Sequence, residues 1–260
     1  MEPPAESSHD LLVSALTPVG QWRFKHGCQR GWPTLYLFEV NVKIALLVPL
    51  LLTTLCGCSS ESQDIGTGQF KAEVWADNWF SMAVGEKATK EDSVSITTER
   101  SFNAEIFSFD ATYPFVLNFV LKDYKENDSG LEYIGTDKQQ MGDGGFIAQI
   151  TDTVTGDVVA ASSSSWKCTV IHKAPTNKTC EKDADPAKTC LSVITEEPSD
   201  WKTAGYDISG WESAKEYTEA DVSPKEGYDE VSWDSSAKLI WTSDLESDNT
   251  LLCKVTIAGK

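Results

Sequence analysis

The feature that most constrains this chain is a series of short, strand-like segments that are rich in apolar residues and separated by turn signals. In FVLNFVLKDY, the side chains of Phe115, Leu117, Phe119 and Leu121 fall on one face at a period of two. Similar segments follow, FIAQITD, SWKCTVI and TLLCKVTI, and glycine or polar turn residues separate them. No amphipathic helical run longer than a few turns is evident in the sequence. The pattern predicts an all-β, antiparallel β-sandwich.

Aromatic residues add two expectations about this sandwich. Trp79 and Phe80 are consecutive in a strand-like segment, so they should point to opposite faces, with one of them outside the core or in a groove. The spacing of Trp201, Tyr206 and Trp211 predicts a loop that packs its aromatic rings against the body of the domain.

The N-terminal quarter of the chain is typical of an export signal. Lys43 precedes the apolar run IALLVPLLLTTL, and Leu55 to Cys58 resembles the bacterial lipobox. We therefore predict a lipoprotein signal peptide over residues 42–57, with Cys58 as the lipidated first residue. Residues 1–41 are then a mis-assigned start or an unstructured extension, residues 58–69 a flexible tether, and residues 70–258 a single domain.

The net charge of the chain limits the classes of partner that it is expected to bind. The formal net charge is −18, and acidic and basic residues balance before Cys58, so the whole excess lies in the predicted mature part. Such a surface repels phosphate backbones, which excludes nucleic acid as an expected partner. We expect a protein of the cell envelope, an outer membrane lipoprotein or a secreted protein, that meets the membrane through its lipid anchor only.

Four cysteines beyond Cys58 predict two disulfides in an oxidising compartment. Three pairings are possible. We prefer Cys180 with Cys190, which closes the polar loop KTCEKDADPAKTC, and this leaves Cys168 to pair with Cys253. A zinc site is the alternative, but the chain has no C-x-x-C pair and only His172 beyond residue 58.

The stretch from Leu121 to Ile150 encloses an acidic, amide-rich loop between two apolar runs. Its carboxylate and amide oxygens are the ligands that calcium prefers, although the loop lacks EF-hand spacing. A solvated loop without a ligand is the alternative. The predicted calcium ligands are Asp123, Glu126, Asp128 and Glu132, completed by Asp77 and Asn78 or, alternatively, by Asp244 and Asp248.

Aromatic and planar polar side chains in and beside this loop could bind the hydroxyl groups of a sugar. The predicted ligand-binding residues are Trp79, Tyr124, Tyr133, Lys138, Gln139 and Gln140. Each aromatic could equally belong to the core, and a wet loop would also explain the polar residues.

The sequence supports catalysis less than it supports ligand binding. His172 is the single candidate base beyond residue 58, and no GxSxG motif is present, so we expect no Ser/His/Asp triad and no catalytic residues. A glycoside hydrolase that uses paired carboxylates remains an alternative because acids are abundant. A structural cell-surface protein is another.

The order of several segments resembles galactose-binding-like β-sandwich (jelly-roll) modules that accompany rhamnosidases and other glycoside hydrolases. The resemblance is carried by ADNWFSMAVG (76–85), GGFIAQI (144–150), TGDVV (155–159), SWKC (165–168), YDISGWESA (206–214) and AKLIW (237–241). The chain is also similar to an extracellular family of marine bacteria. The resemblance implies a galactose-binding-like jelly roll that binds a carbohydrate or another extracellular polymer.

Overall fold

The structure, a computed structural model, describes residues 66–96 and 102–259. Most regular structure in these residues is β-strand. The strands, in chain order, are β1 Gly68–Asp77, β2 Trp79–Val84, β3 Lys87–Glu91, β4 Glu105–Ala111, β5 Phe115–Lys122, β6 Leu131–Glu132, β7 Gln140–Met141, β8 Gly145–Asp152, β9 Val158–Ala161, β10 Lys167–Lys173, β11 Val193–Ile194, β12 Glu212–Ser213, β13 Lys215–Tyr217, β14 Leu239–Trp241 and β15 Asp248–Ile257. The helices are short: α1 Pro186–Thr189, α2 Glu219–Val222, and 3-10 turns at Lys178–Lys182 and Tyr228–Glu230.

Two antiparallel sheets face each other across one core. The first sheet has the order β13-β14-β8-β1-β4, with β9 also paired to β8. The second has the order β11-β10-β15-β5-β2-β3, with β12 also paired to β10. A small sheet, β6-β7, lies in the acidic loop. The predicted all-β, antiparallel sandwich is therefore confirmed.

One face of β5 contributes four large residues to the main core. Phe115, Leu117, Phe119 and Leu121 all lie in the main apolar cluster, as the period of two predicts. They meet the first sheet through rings such as Phe146, whose centroid lies 5.2 Å from that of Phe119. Burial of this apolar surface is the main force that holds the two sheets together.

Trp79 and Phe80 take opposite faces of β2, as predicted. Phe80 lies in the main core, whereas Trp79 packs with Val120 and Leu252 on the outer face of the second sheet. The predicted aromatic loop covers that face. Its Trp201 is 1% exposed, and the rings of Trp201 and Trp211 lie 6.0 Å apart.

A buried lysine fastens this loop. The Lys254 ammonium donates hydrogen bonds to the backbone oxygens of Trp201 at 2.8 Å and Thr203 at 2.5 Å. Burial lowers the pKa of Lys254. The ammonium thus satisfies the Trp201 carbonyl beneath the aromatic cover and adds a second donor to the Thr203 carbonyl, which also accepts from the Tyr206 N–H.

Both predicted disulfides are present. Cys168–Cys253 joins β10 to β15, and Cys180–Cys190 closes the polar loop that contains α1. β1 begins at Gly68, inside the predicted tether. The predicted extension, signal peptide and lipidated Cys58 lie outside the described residues. Within the described ranges, no helix is long and apolar enough to cross a membrane.

Candidate cation and ligand site

Three strand ends meet at one edge of the sandwich. Asp77 is the last residue of β1 and pairs with Gly145, the first residue of β8. The Asn78 N–H donates to the Lys122 carbonyl oxygen at 2.9 Å, which brings β1 beside the end of β5 in the opposite sheet. Asp123 follows β5, so the fold places it beside Asp77.

A third carboxylate completes this cluster. One oxygen each from Asp77, Asp123 and Asp143 lie within 4.8 Å of one another. Asp143 stands in the short connection between β7 and β8, two residues before Gly145. We call these three residues the carboxylate cluster.

Two members of the carboxylate cluster are buried without hydrogen-bond partners. Asp77 is 0% exposed and Asp123 is 2% exposed. None of their four carboxylate oxygens accepts a hydrogen bond within the described residues. The Tyr124 N–H beside Asp123 donates to the Asn78 side-chain oxygen, and its weaker interaction with the Asp123 carboxylate does not offset the burial of that group. Buried charge without compensation is costly, so this arrangement requires a proton or a cation.

The pKa values follow from that burial. Burial raises the pKa of Asp123 well above its ordinary value, and the negative charges of Asp77 and Asp143 raise it further. Burial likewise raises the pKa of Asp77; Asp143 adds to the effect, and Lys225 opposes it. The cluster therefore holds more negative charge than its surroundings stabilise.

Lys225 supplies part of the missing positive charge. Its ammonium lies 3.0 Å from Asp143 Oδ2 and 3.6 Å from Asp77 Oδ2. Burial alone would lower the pKa of Lys225, but Asp77 and Asp143 together raise it above its ordinary value. Asp123 has no ion pair with a described lysine or arginine.

The spacing and donor chemistry of the carboxylate cluster fit a calcium ion. Calcium binds oxygens at 2.3–2.6 Å, so two ligands on opposite sides of the ion lie up to about 5 Å apart. A Cβ on Gly142 would lie 1.7 Å from Asp123 Oδ2, so only glycine leaves room for this carboxylate.

A cavity of about 370 Å³ adjoins the carboxylate cluster through Asp143 and Lys225. Of the predicted site residues, it is lined by Asn78, Glu132, Tyr133, Lys138 and Gln140. Gln140 donates to Glu132 Oε2 at 2.8 Å, and this bond fixes one wall. We call this space the loop cavity.

Other predicted metal ligands lie elsewhere. Glu126 and Asp128, together with the predicted sugar-binding Tyr124, line a second cavity of about 620 Å³ that Asp123 and His172 also line. Glu126 accepts a hydrogen bond from the Ile134 N–H, and Asp128 pairs with Lys125 at 3.0 Å. A hydrogen bond from Lys125 lowers the pKa of Asp128. These acids already have partners outside the carboxylate cluster.

The remaining predicted residues have structural partners. Gln139 accepts from the Gly135 N–H and donates to the Glu181 carbonyl oxygen. Trp79 is 8% exposed beneath Lys122, whose ammonium lies 4.5 Å from its ring. The alternative ligands Asp244 and Asp248 form ion pairs with Lys178 and Lys173.

The sequence prediction did not choose Asp143 or Lys225 as site residues. The available signal for Asp143 was its place in the glycine run Gly142-Asp143-Gly144-Gly145, where small residues allow a close backbone approach. Lys225 is 82 residues away from Asp143 in sequence, and no local pattern joins them. In comparisons with known proteins, no family model, curated protein or solved structure matches this chain.

Proposed function

We propose that this chain is a calcium-stabilised binding module of the cell envelope, lipid-anchored through Cys58, that recognises a carbohydrate or another extracellular polymer without catalysing its breakdown. The ion is held by Asp77, Asp123 and Asp143. We propose further that the β-sandwich is a galactose-binding-like jelly roll, the fold that the sequence resembles.

One observation carries the cation part of the proposal: the carboxylates of Asp77 and Asp123 are buried with no hydrogen-bond partner in the described residues. Native proteins rarely bury charged groups unless they are paired or coordinate a metal. Lys225 reaches two of the three carboxylates and leaves Asp123 uncompensated. A dication in contact with all three would neutralise them together.

The ion would act by fixing the acidic loop. Asp123 begins this loop, and Asp143 lies at its end, just before β8. A bound ion therefore joins the two ends and holds Glu132, Tyr133 and Gln140 in place around the loop cavity. These planar and hydroxyl-bearing groups suit a hydroxyl-rich ligand. Because the ion already holds them in place, binding costs little further side-chain entropy.

Calcium titration of the chelator-treated domain tests this proposal. We expect one ion per chain, and calcium at a hundredfold excess over Kd should stabilise the fold by about 2.7 kcal/mol. That corresponds to a rise in Tm of roughly 5 to 10 °C for a domain of this size. Asp123→Asn should abolish the rise yet be at least as stable as the parent in chelator, because it removes a buried charge.

The matched control is Asp137→Asn, in the same loop but exposed, which should keep the full calcium response. A parent protein whose Tm is the same in calcium and chelator would overturn the cation part of the proposal. A glycan array in calcium then tests recognition. Release of shortened sugars during that assay would favour the paired-carboxylate hydrolase instead.

A further inference from the structure

Lys225 belongs to two environments at once. Its ammonium contacts Asp77 and Asp143 of the carboxylate cluster, and its side chain also lines the loop cavity. The side chain is 35% exposed, so it lies between the buried carboxylates and solvent. The same ammonium can therefore serve either the cluster or a molecule in the cavity.

The backbone that carries Lys225 is held firmly. The Trp75 indole N–H donates to the carbonyl oxygens of Glu226 at 3.1 Å and Phe102 at 3.2 Å. Gly227 has a φ of +88°, and a Cβ there would lie 2.1 Å from the Phe102 carbonyl oxygen. The long lysine side chain is consequently the part of this turn that is free to reorient.

A cation bound by the carboxylate cluster would remove the electrostatic attraction that holds the Lys225 ammonium beside it. The ion neutralises Asp77 and Asp143, and it repels an ammonium a few ångströms away, strongly so in a buried site. The Phe102 ring, 4.5 Å from the ammonium, also lines the loop cavity and offers a cation–π surface on that side. Loading with calcium should therefore turn the ammonium toward the loop cavity.

The loop cavity then presents two ammonium groups. Lys138 lines it and forms no ion pair with any acid in the described part of the chain. Glu132, which also lines the cavity, is hydrogen-bonded to Gln140 and attracts Lys225. Charge-assisted hydrogen bonds from two lysines favour a carboxylate or sulfate group over a neutral hydroxyl.

We propose that the ligand of the loop cavity is an acidic saccharide, bearing a carboxylate or a sulfate ester, and that calcium loading releases Lys225 to bind its anionic group together with Lys138. This inference rests on the proposed calcium-dependent binding function. Because linkage is reciprocal, the saccharide should also increase the affinity for calcium.

The test is a two-stage calorimetric titration of the folded domain, first with calcium alone and then, at saturating calcium, with trisaccharides too short to gel. The trisaccharides are a galacturonate, a sulfated galactose and a neutral galactose oligomer. We expect at least one acidic trisaccharide to bind about tenfold more tightly than the neutral one. The stronger of the two acidic ligands identifies the anionic group.

Lysine variants locate the effect. Lys225→Met should bind calcium more tightly, because it loses a competing cation, and should bind the acidic trisaccharide about tenfold more weakly. Lys138 does not contact the carboxylate cluster, so Lys138→Met should weaken saccharide binding and leave calcium affinity unchanged. Lys87→Met, on exposed β3, is the matched control and should change neither.

The two proposals fail separately. Absence of calcium binding in the first stage would overturn the proposed function itself. Calcium binding followed by equal affinity for acidic and neutral trisaccharides, or by none, would overturn only the acidic-ligand inference. Unchanged affinity for the acidic trisaccharide in both Lys225→Met and Lys138→Met would also overturn the acidic-ligand inference. If Lys225→Met misfolds, Lys138→Met alone still tests that inference.

Discussion

At the scale of single residues, acids in this chain differ by what compensates their burial. Glu105 accepts hydrogen bonds from Ser93 and Asn103 and pairs with Lys90 at 2.7 Å. Burial opposes ionisation of Glu105, but these partners prevail and lower its pKa. Asp123 lacks such partners and Asp77 has only Lys225, 3.6 Å away, and this difference is the physical basis for assigning a cation to them rather than to another acidic group.

Asp92 gives a pH-dependent prediction outside the carboxylate cluster. Burial raises its pKa from 3.8 to about 6, opposed in part by a hydrogen bond from the Val94 N–H. A raised pKa in the folded state means that stability is complete below pH 4 and is lost as the pH rises through 6. Asp92→Asn keeps the acceptor without the charge, so above pH 6 it should exceed the parent by about 1–3 kcal/mol.

Urea unfolding of the parent and Asp92→Asn at pH 4 and pH 7.5 checks this. We expect nearly equal free energies of unfolding at the lower pH and a more stable variant at the higher pH. A difference between the two proteins that does not change with pH would show that Asp92 titrates normally in the folded state.

At the scale of elements, the sequence pattern and the structure agree best in the inner strands of the second sheet. The period of two in β5 predicts its core residues, and the adjacent pair Trp79 and Phe80 predicts the two faces of β2. β4 differs, because its apolar Ile106 is 55% exposed whereas Phe109 is buried. An apolar residue alone does not show whether its face of the strand is buried, because the residues that bury that face come from distant parts of the chain.

The two disulfides should differ in their contribution to stability. Cys168–Cys253 spans 85 residues of sequence and Cys180–Cys190 spans 10. In the chain-entropy model, their removal costs about 4.5 and 2.7 kcal/mol, respectively. Paired Cys→Ser variants, compared by urea unfolding, should therefore show the larger loss for Cys168 with Cys253. An equal or reversed order would mean that the denatured state is not governed by loop length.

At the scale of the whole molecule, sheet pairing creates a site that local sequence does not contain. The register of β1 with β8 places Asp77 beside Gly145, and the hydrogen bond from Asn78 to Lys122 brings in the end of β5. The acidic loop was predictable as a source of oxygen ligands. The choice of Asp143 over Glu126 or Asp128 was not, because it depends on how the loop ends approach one another across the two sheets.

Charge shows the same dependence on the folded molecule. A net charge of −18 predicts attraction for cations in general, but it does not locate a site. Many exposed acids are satisfied by nearby lysines or hydroxyls, as Asp185 is by Lys188. A specific cation site requires that the fold gather carboxylates and exclude their other partners, and among the described residues the gathered group is Asp77, Asp123 and Asp143.

The most direct test of this account is a crystal structure of the domain grown with terbium, a calcium substitute with strong anomalous scattering. We expect one anomalous peak within about 2.3–2.6 Å of oxygens from Asp77, Asp123 and Asp143, with the Lys225 ammonium displaced toward the loop cavity. A terbium peak elsewhere, or none, with Lys225 still paired to Asp143, would contradict it.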